Sequence, residues 1–385
     1  MRSELYIYTL HFPFGKSENF LETELPFLAK EFKKIYIYPW TFGGSESREL
    51  PENVEVRKLE VNSKASLFSR LKLLWPHLGN KKVRGDFRYQ IAHAENLLSH
   101  AQQLTLEIET QDAIHYSYWL SDWATVLGLV SEEKKDLVFV SRAHGFDVYD
   151  ERHPMEEQLF RKEQTQRIST VFPISEKAKE TILKQTASCP VVISHLGTDD
   201  YGLGPIPNEG KLNVVSCSTV TELKRVTVIP KLLASLGRDV RWTHIGDGPE
   251  METLKDICAK LNSSIQVELK GRMEPEAIMK LYQEEGFHFF IHLSSSEGIP
   301  VSMMEAISFG IPIIATDVGA VNEIVNEETG ILLEKDNLEH WKHHLKKVIL
   351  ENALPNRKRT RAFWEKEFRA DNNYMDFCSL LTNLD

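Results

Sequence analysis

Several features that commonly mark a compartment are missing from this sequence of 385 residues. Its four cysteines are widely spaced and include no C-x-x-C pair, so the sequence contains neither a zinc framework nor a disulfide pattern. No apolar run reaches the roughly 18 residues of a membrane span, and the N-terminus lacks the basic, apolar and small-residue order of a signal peptide. We therefore expect a protein that is made and kept in the cytoplasm.

Motifs for cofactors, metals and nucleic acids are missing as well. The G-x-G at Gly246 and Gly248 is not followed by the third glycine of a dinucleotide fingerprint, and no G-x-x-x-x-G-K-[ST] occurs anywhere. No D-x-D motif follows a predicted strand, where it would hold a metal. The formal net charge of −10 argues against nucleic-acid binding by the whole protein. We expect no cofactor and no metal.

The remaining pattern predicts two α/β domains. The chain is longer than one usual hydrophobic core, and strand-like segments alternate with helical ones in both halves, which is typical of parallel sheets covered by helices. A stretch rich in glycine and proline, 201–208, separates the halves. We predict one doubly wound domain over 1–204, a second over 205–355, and a C-terminal segment over 356–385.

One stretch of the second domain predicts an anion site. The residues from Phe287 to Leu293 form an apolar run rich in strand formers, the polar loop 294–298 follows, and a helical pattern starts at Pro300. Proline suits the first helical turn, since its missing N–H would have no partner there. We expect the next backbone N–H groups, from Val301 to Met303, to face the loop together with the positive end of the helix dipole, where a phosphate can bind.

Two carboxylates flank this predicted anion site. Glu297 lies in the loop, and Glu305 lies on the helix face that we expect to point away from the buried side. Carboxylates repel a bare phosphate, but they accept hydrogen bonds from sugar hydroxyls on either side of one. The pattern therefore predicts a nucleotide-sugar as the ligand, against the alternative that both residues are solvated surface carboxylates.

The whole stretch from Phe287 to Gly330 resembles the E-x7-E region of family 4 of the retaining glycosyltransferases, which have the GT-B fold. The resemblance implies two doubly wound, Rossmann-like domains that face each other across a cleft, with a C-terminal helix crossing back to the first domain. It also implies metal-independent transfer of a hexose from a nucleotide-diphosphate sugar, and we favour a UDP-sugar over a GDP-sugar.

The resemblance assigns roles to residues of the second domain. Glu305 would bind the ribose hydroxyls, while Glu297 and nearby backbone amides would hold the hexose. Lys224 matches the lysine of the family's phosphate-contacting loop and would neutralise the leaving diphosphate. Thr219 stands where the family usually carries an arginine, and Arg272 lies in the loop that contacts the nucleobase. The other donor-binding residues are those of the loop before the helix, Gly298, Ile299, Pro300 and Val301.

In the first domain, the loop after the first strand contains Gly15, where the family often has two or more glycines. Arg142-Ala-His-Gly-Phe-Asp, at the end of a later strand, resembles the family's H-G-x-D element, which implies that His144 lies near the reacting side of the sugar. Because ligands bind at the carboxyl ends of parallel strands, we expect Arg142 and Asp147 to line the same crevice.

A basic segment completes the sequence-based picture. Residues 57–88 carry nine Lys or Arg against Glu60 and Asp86, and basic and apolar residues are interleaved in 67–75. Such a stretch can lie on an anionic membrane surface, which would suit a lipid-linked glycan acceptor in cell-surface polysaccharide synthesis. The alternative is a solvated helix packed on its own domain. Two other functions stay open: a nucleotide-sugar epimerase of the same fold and a non-catalytic nucleotide-sugar-binding scaffold subunit.

Overall fold

The computed structural model describes residues 3–15, 17–44, 48–186, 189–334 and 337–384. The chain forms two compact units. The first contains Met1–His195 and Asn373–Asp385, and the second contains Leu196–Asn372. The division between them lies earlier than residue 205, where the glycine and proline content placed it, and the C-terminal part of the first unit begins later than residue 356.

The first unit contains one six-stranded sheet and the helices that cover it. Its strands are β1 (Glu4–Thr9), β2 (Lys34–Pro39), β3 (Val54–Val56), β4 (Ala113–Ser117), β5 (Phe139–Ala143) and β6 (Thr170–Pro173). Its helices are α1 (Phe20–Glu31), α2 (Leu67–Leu74), α3 (Lys81–Gly85), α4 (Phe87–Glu107), α5 (Asp122–Glu133), α6 (Arg161–Thr165) and α7 (Glu176–Gln185). The predicted strand over 191–194 is reduced to a single bridge between Val191 and Val171.

The second unit repeats this plan. Its strands are β7 (Leu212–Cys217), β8 (Val240–Ile245), β9 (Ile265–Leu269), β10 (Phe289–His292), β11 (Ile313–Thr316) and β12 (Gly330–Leu333). Its helices are α8 (Ile229–Ala234), α9 (Met251–Cys258), α10 (Pro275–Glu284), α11 (Val301–Ser308), α12 (Leu338–Leu350) and α13 (Arg357–Glu367), followed by α14 (Ala370–Thr382), whose part from Asn373 onward belongs to the first unit.

All strand pairs in both sheets are parallel. The first sheet has the order β3-β2-β1-β4-β5-β6, and the second has β12-β11-β10-β7-β8-β9. In each sheet the chain starts in the middle, builds outward and then returns to the other side, so the strand order reverses between β1 and β4 and between β7 and β10. Ligands of doubly wound sheets bind at the carboxyl ends of the strands at this reversal. The prediction of two doubly wound α/β domains is confirmed.

The core of the first unit contains a buried ion pair that the sequence did not suggest. Arg142 and Glu24 are both fully buried and lie 2.9 Å apart. The hydroxyl of Tyr116 also donates to Glu24, at 2.9 Å, and the guanidinium of Arg142 lies 4.0 Å from the ring centre of Phe377 in α14. The expectation that Arg142 lines a ligand crevice is therefore wrong, because its side chain points into the core and holds α1 and α14 on the sheet.

No helix in the described part of the chain combines the length and the apolar character that crossing a membrane requires.

Candidate functional site

The residues that the sequence singled out in the second unit gather at its strand reversal. The loop after β7 starts at Ser218, directly beyond Cys217, and the loop after β10 runs from Leu293 to Pro300. The two loops are joined by backbone and side-chain contacts, since the N–H of Ser295 donates to the carbonyl of Leu223 at 2.9 Å. This junction is the candidate donor site.

Glu297 is the most heavily bonded side chain of this site. One of its oxygens, Oε1, accepts from the ammonium of Lys224. The same oxygen lies 2.7 Å from Nε2 of His292 and accepts from the hydroxyl of Ser294 at 2.6 Å. The structure thus brings the predicted residues Lys224 and Glu297 together and adds two polar partners, His292 of β10 and Ser294 of the loop that follows it.

These contacts determine the charge of Glu297. Its side chain is buried, and burial alone would raise the pKa of the carboxyl. The hydrogen bond and charge of His292, with the charge of Lys224, outweigh that effect and hold the pKa of Glu297 well below its usual range. The carboxyl is therefore ionised at neutral pH, with one oxygen saturated by donors and the other left to accept from a ligand.

The loop ahead of α11 presents unused backbone donors. The N–H groups of Gly298, Ile299, Val301 and Ser302 make no hydrogen bond to the described part of the chain. The helix begins at Val301, with Pro300 in an extended conformation as the preceding cap residue. The predicted third donor is an exception, since the N–H of Met303 donates to the carbonyl of Pro300 at 3.0 Å. Unbonded N–H groups at a helix N-terminus form an anion site.

Gly319 allows this loop to adopt its shape. It has a φ of +58°, and a Cβ at this position would collide with the carbonyl of Glu297. The chain after β11 can therefore pass directly against the donor loop only because the residue is glycine. Thr316 reinforces the contact, since its hydroxyl donates to the carbonyl of Ser294 at 2.6 Å.

Glu305 behaves differently from Glu297. It lies on α11 away from the apolar core, as predicted, but its side chain is partly buried, and this burial raises its pKa to about 7. The described residues offer the carboxyl no hydrogen-bond partner. Its charge acts on the thiol of Cys217, as does the charge of Lys224, so both groups lie around the end of β7. A partly buried carboxylate without partners is suited to accept from ligand hydroxyls.

The loop after β7 contains Thr219, which is exposed, at the position where the resemblance implies an arginine. Arg225, in the same loop, does not replace that arginine. The guanidinium of Arg225 donates to the carbonyls of Leu293 at 2.6 Å and of Ser294 at 2.7 Å. Arg225 therefore fixes the start of the donor loop. Lys224 remains the cation that directly contacts the acidic centre of the site.

Arg272 lies at the edge of the same unit, in the turn after β9. Its side chain is exposed, and the preceding Gly271 has a φ of +66°. The carbonyl of Gly271 accepts from the N–H of Gly246 at 2.8 Å, so this turn is held against the loop after β8. That places Arg272 two strands further from the reversal than Lys224.

In the first unit, the loop after β1 is organised by Glu18. The buried carboxylate of Glu18 accepts from the N–H groups of Leu10 at 2.9 Å and of His11 and Phe12 at 2.8 Å. It also accepts from Nε1 of Trp119 at 2.8 Å. Gly15, the predicted glycine of this loop, is exposed with a φ of +67°. Four donors on one carboxylate make this loop a fixed structure.

His144 follows β5 and lies next to this loop. Its ring packs against Trp119, with ring centres 4.4 Å apart, and against Tyr118 at 5.1 Å. Both ring nitrogens are buried without a hydrogen bond to any described residue, although Nδ1 lies 3.7 Å from Oδ2 of Asp147. Asp147 accepts from the backbone N–H groups of His144 at 2.7 Å and of Leu120 at 2.8 Å, and thereby holds the loop. A buried imidazole with open nitrogens is a candidate ligand contact.

Sequence reasoning missed His292 and Ser294 as partners of Glu297, and it noted Glu18, with Asn19 and Phe20, only for a resemblance to a motif of polysaccharide-building members. A signal for His292 and Ser294 was present. Side chains two residues apart in an extended segment point to the same side, and Glu297 follows Ser294 by three residues. No local signal marked Glu18 as a buried acceptor, since its donors come from a loop and from Trp119, far along the chain.

Comparisons with known proteins agree with this reading of the fold. Residues 205–363 match the profile of the family described as Glycosyl transferases group 1. The chain is 25% identical over 264 residues to the putative colanic acid biosynthesis glycosyltransferase WcaL of Escherichia coli, and the match covers 63% of each chain. It is 30% identical over 115 residues to the GtfA subunit of a UDP-N-acetylglucosamine–peptide N-acetylglucosaminyltransferase of Streptococcus parasanguinis, a match that covers 29% of this chain and only 21% of the subunit.

Solved structures match over nearly the whole chain. The lipopolysaccharide outer core galactosyltransferase WaaB has a TM-score of 0.69 at 14% identity, with 98% of this chain and 99% of that chain covered. Anabaena HepE in complex with UDP also has a TM-score of 0.69 at 14% identity, with 99% and 100% covered. The protein therefore has the GT-B fold. The part of the chain that matches the Glycosyl transferases group 1 profile includes Lys224, Glu297 and Glu305.

Proposed function

We propose that this protein is a retaining, metal-independent hexosyltransferase of family 4 that uses a nucleotide-diphosphate sugar as donor. The observation that carries the proposal is the position of Lys224, paired with Glu297 beside a row of unbonded backbone N–H groups. One lysine and several fixed dipoles together suit a diphosphate, and the carboxylate suits the sugar attached to it.

The donor would bind with its diphosphate at the N-terminus of α11 and beside Lys224. The free oxygen of Glu297 and the amides of Gly298 and Ile299 would then contact the hexose hydroxyls, while Glu305 would accept from the ribose. Negative charge grows on the diphosphate as the anomeric bond breaks, so fixed donors aimed at it stabilise the transition state more than the ground state. Lys224 would leave Glu297 in part to meet that charge.

Retention would follow from a reaction on one face of the sugar. The bond between the anomeric carbon and the phosphate oxygen breaks, the acceptor hydroxyl oxygen bonds to that carbon from the same face, and the leaving phosphate takes the hydroxyl proton. Glu297 is poorly suited to attack the sugar in a double displacement, because three donors share one of its oxygens and lower the basicity of the carboxylate.

The acceptor we propose is a glycan, most simply a lipid-linked one, in cell-surface polysaccharide synthesis on the cytoplasmic face of the membrane. The similarity to WcaL, which is described as a colanic acid biosynthesis glycosyltransferase, supports this class. A UDP-sugar is the donor we favour, and the UDP bound in the structurally similar HepE supports it.

The first experiment measures thermal unfolding with UDP, GDP, ADP and CMP. A ligand at about 100 times its dissociation constant adds roughly 2.7 kcal/mol to the free energy of unfolding. We expect one diphosphate to stabilise the wild type, to stabilise Glu305→Ala much less, and to stabilise Glu252→Ala, a control at an exposed position of α9, as much as the wild type. Equal stabilisation of both variants would show that the nucleotide binds elsewhere.

The second experiment separates transfer from its alternatives. With donor and a lipid-linked acceptor, the anomeric proton coupling of the product reports retention or inversion. Release of an altered sugar from the nucleotide-sugar alone would instead identify an epimerase. A scaffold subunit deserves this test because Arg225 is committed to backbone carbonyls and Thr219 supplies no cation. Nucleotide binding without turnover on a panel of acceptors would favour that function.

A further inference from the structure

Helix α2 carries an apolar face that points to solvent. This face consists of Leu67, Phe68, Leu71 and Trp75, of which 59%, 78%, 38% and 75% of the surface is exposed. The spacing of four residues from Leu67 to Leu71 and on to Trp75 places them in one row along the helix and the short 3-10 turn that follows it. We refer to these four residues as the exposed face of α2.

The helix is firmly held from its other side. Leu73 and Leu74 are buried in the core of the first unit. Arg70 donates to the carbonyl of Ala65 at 2.9 and 2.6 Å and lies 2.7 Å from Glu95 on α4. The prediction of a helix packed on its own domain is thus correct for one side of α2, while the exposed face has no covering in the described part of the chain.

The chain segment that contains this face is basic. Residues 57–88 contain nine cations and two anions. Four of the cations are paired with carboxylates, Arg57 with Glu55, Lys58 with Glu60, Arg70 with Glu95 and Lys82 with Glu156. The other five have no carboxylate partner among the described residues, and they are Lys64, Lys72, Lys81, Arg84 and Arg88. Lys72 lies one helical turn from Phe68, beside the exposed face.

We propose that the exposed face of α2 inserts into the interface of an anionic lipid bilayer, with Lys72 and Lys81 on the headgroups. Aromatic and aliphatic side chains enter the boundary between headgroups and acyl chains, and nearby cations are attracted by anionic lipids. The segment 57–88 thus matches an anionic bilayer in charge as well as in polarity, although the whole chain has a net charge of −10.

The same charges argue against other occupants. A second copy of the chain would place two basic surfaces against each other, which like-charge repulsion disfavours. A nucleic acid would use the cations but would leave Leu67 and Leu71 in water, since aliphatic side chains gain little from stacking with bases. An anionic bilayer would contact both the cations and the apolar side chains. Membrane binding would bring the protein to the proposed lipid-linked acceptor. The inference can nevertheless be tested independently of sugar transfer, because membrane binding is measured without donor or acceptor.

The experiment is sedimentation of the full chain with vesicles. We expect binding to equimolar phosphatidylglycerol and phosphatidylcholine, much weaker binding to phosphatidylcholine alone, and a loss of binding as salt is raised. Phe68→Ser and Trp75→Ser should each weaken binding by about tenfold, because each removes a large apolar side chain from the lipid interface. Leu106→Ser is the matched control, since Leu106 is 81% exposed on α4 and lies outside the face.

A second pair of variants tests the charges. Lys72→Gln combined with Lys81→Gln should weaken binding to anionic vesicles by about 25-fold, on the basis of about fivefold for each cation near the surface. Lys346→Gln combined with Lys347→Gln makes the same change in net charge at exposed positions of α12 and should leave binding unchanged.

The proposal is overturned if the wild type does not sediment with anionic vesicles, whether or not single-stranded RNA binds the face. It is also overturned if Leu106→Ser is as defective as Phe68→Ser. Vesicle binding by a protein that shows no transfer would support the docking surface and count against the proposed reaction alone. Transfer to a water-soluble acceptor without vesicle binding would support the proposed reaction and count against the docking surface.

Discussion

The protonation of Glu305 couples the candidate donor site to the stability of the folded protein. Burial raises the pKa of this carboxyl from 4.5 to about 7 in the folded protein. The folded state therefore holds a proton up to about pH 7, whereas the unfolded chain releases it near pH 4.5. The stability that comes from the bound proton is fully present below pH 4.5 and is lost as the pH rises through 7.

Glu305→Gln removes this titration while keeping the size of the side chain. Each unit of pKa difference corresponds to about 1.4 kcal/mol, and the part of the difference that lies between pH 5 and pH 8 amounts to about 2.5 kcal/mol. We expect the free energy of unfolding of Glu305→Gln minus that of the wild type to increase by about this amount from pH 5 to pH 8, so that the variant is relatively more stable at the higher pH.

Urea unfolding at pH 5, 6, 7 and 8 measures this difference. Glu252→Gln is the control, because its carboxyl is exposed on α9 and its difference from the wild type should be nearly independent of pH. A flat difference for Glu305→Gln would show that the carboxyl is not enclosed. A difference that shrinks as the pH rises would show that it is stabilised in its ionised form, and would refute the reasoning.

Three further predictions concern the same site. Nucleoside diphosphate affinity, measured by calorimetry, should rise about tenfold from pH 6 to pH 8 as Glu305 ionises, and this dependence should vanish in Glu305→Gln; a dependence that persists in the variant would assign it to another group. Lys224→Gln should weaken binding of the preferred diphosphate by about tenfold or more while leaving its nucleoside unaffected, and the exposed Lys231→Gln should change neither; an equal loss for nucleoside and diphosphate would count against a phosphate contact. Gly319→Ala should cost at least about 1 kcal/mol of stability in thermal unfolding, because of its φ of +58° and the collision of its Cβ with the donor loop, whereas Gly79→Ala, with open space around it, should be nearly neutral; similar values for the two would contradict the close packing.

Local patterns predicted most of the fold. Alternation of apolar strands with amphipathic helices indicated two parallel sheets, and the loop before α11 was recognisable from its polar residues followed by proline. Errors occurred where a long-range partner decided the outcome. Arg142 was expected in a crevice, but Glu24 of α1 and Phe377 of α14 draw it into the core. Glu305 was placed on the correct side of its helix, although its enclosure depends on neighbours that the helix pattern does not contain.

The sequence by itself determined the class of fold, the order of the elements, the positions of Lys224, Glu297 and Glu305 in loops and helices, and the basic character of residues 57–88, because each depends on local spacing or composition. Only the tertiary structure decided which groups meet. It placed Lys224, His292 and Ser294 on one oxygen of Glu297, left Glu305 without a partner, and turned Phe68 and Trp75 of the basic segment to solvent. The physical reason is that charge state and exposure are set by neighbours distant in the chain, which spacing along the sequence does not encode.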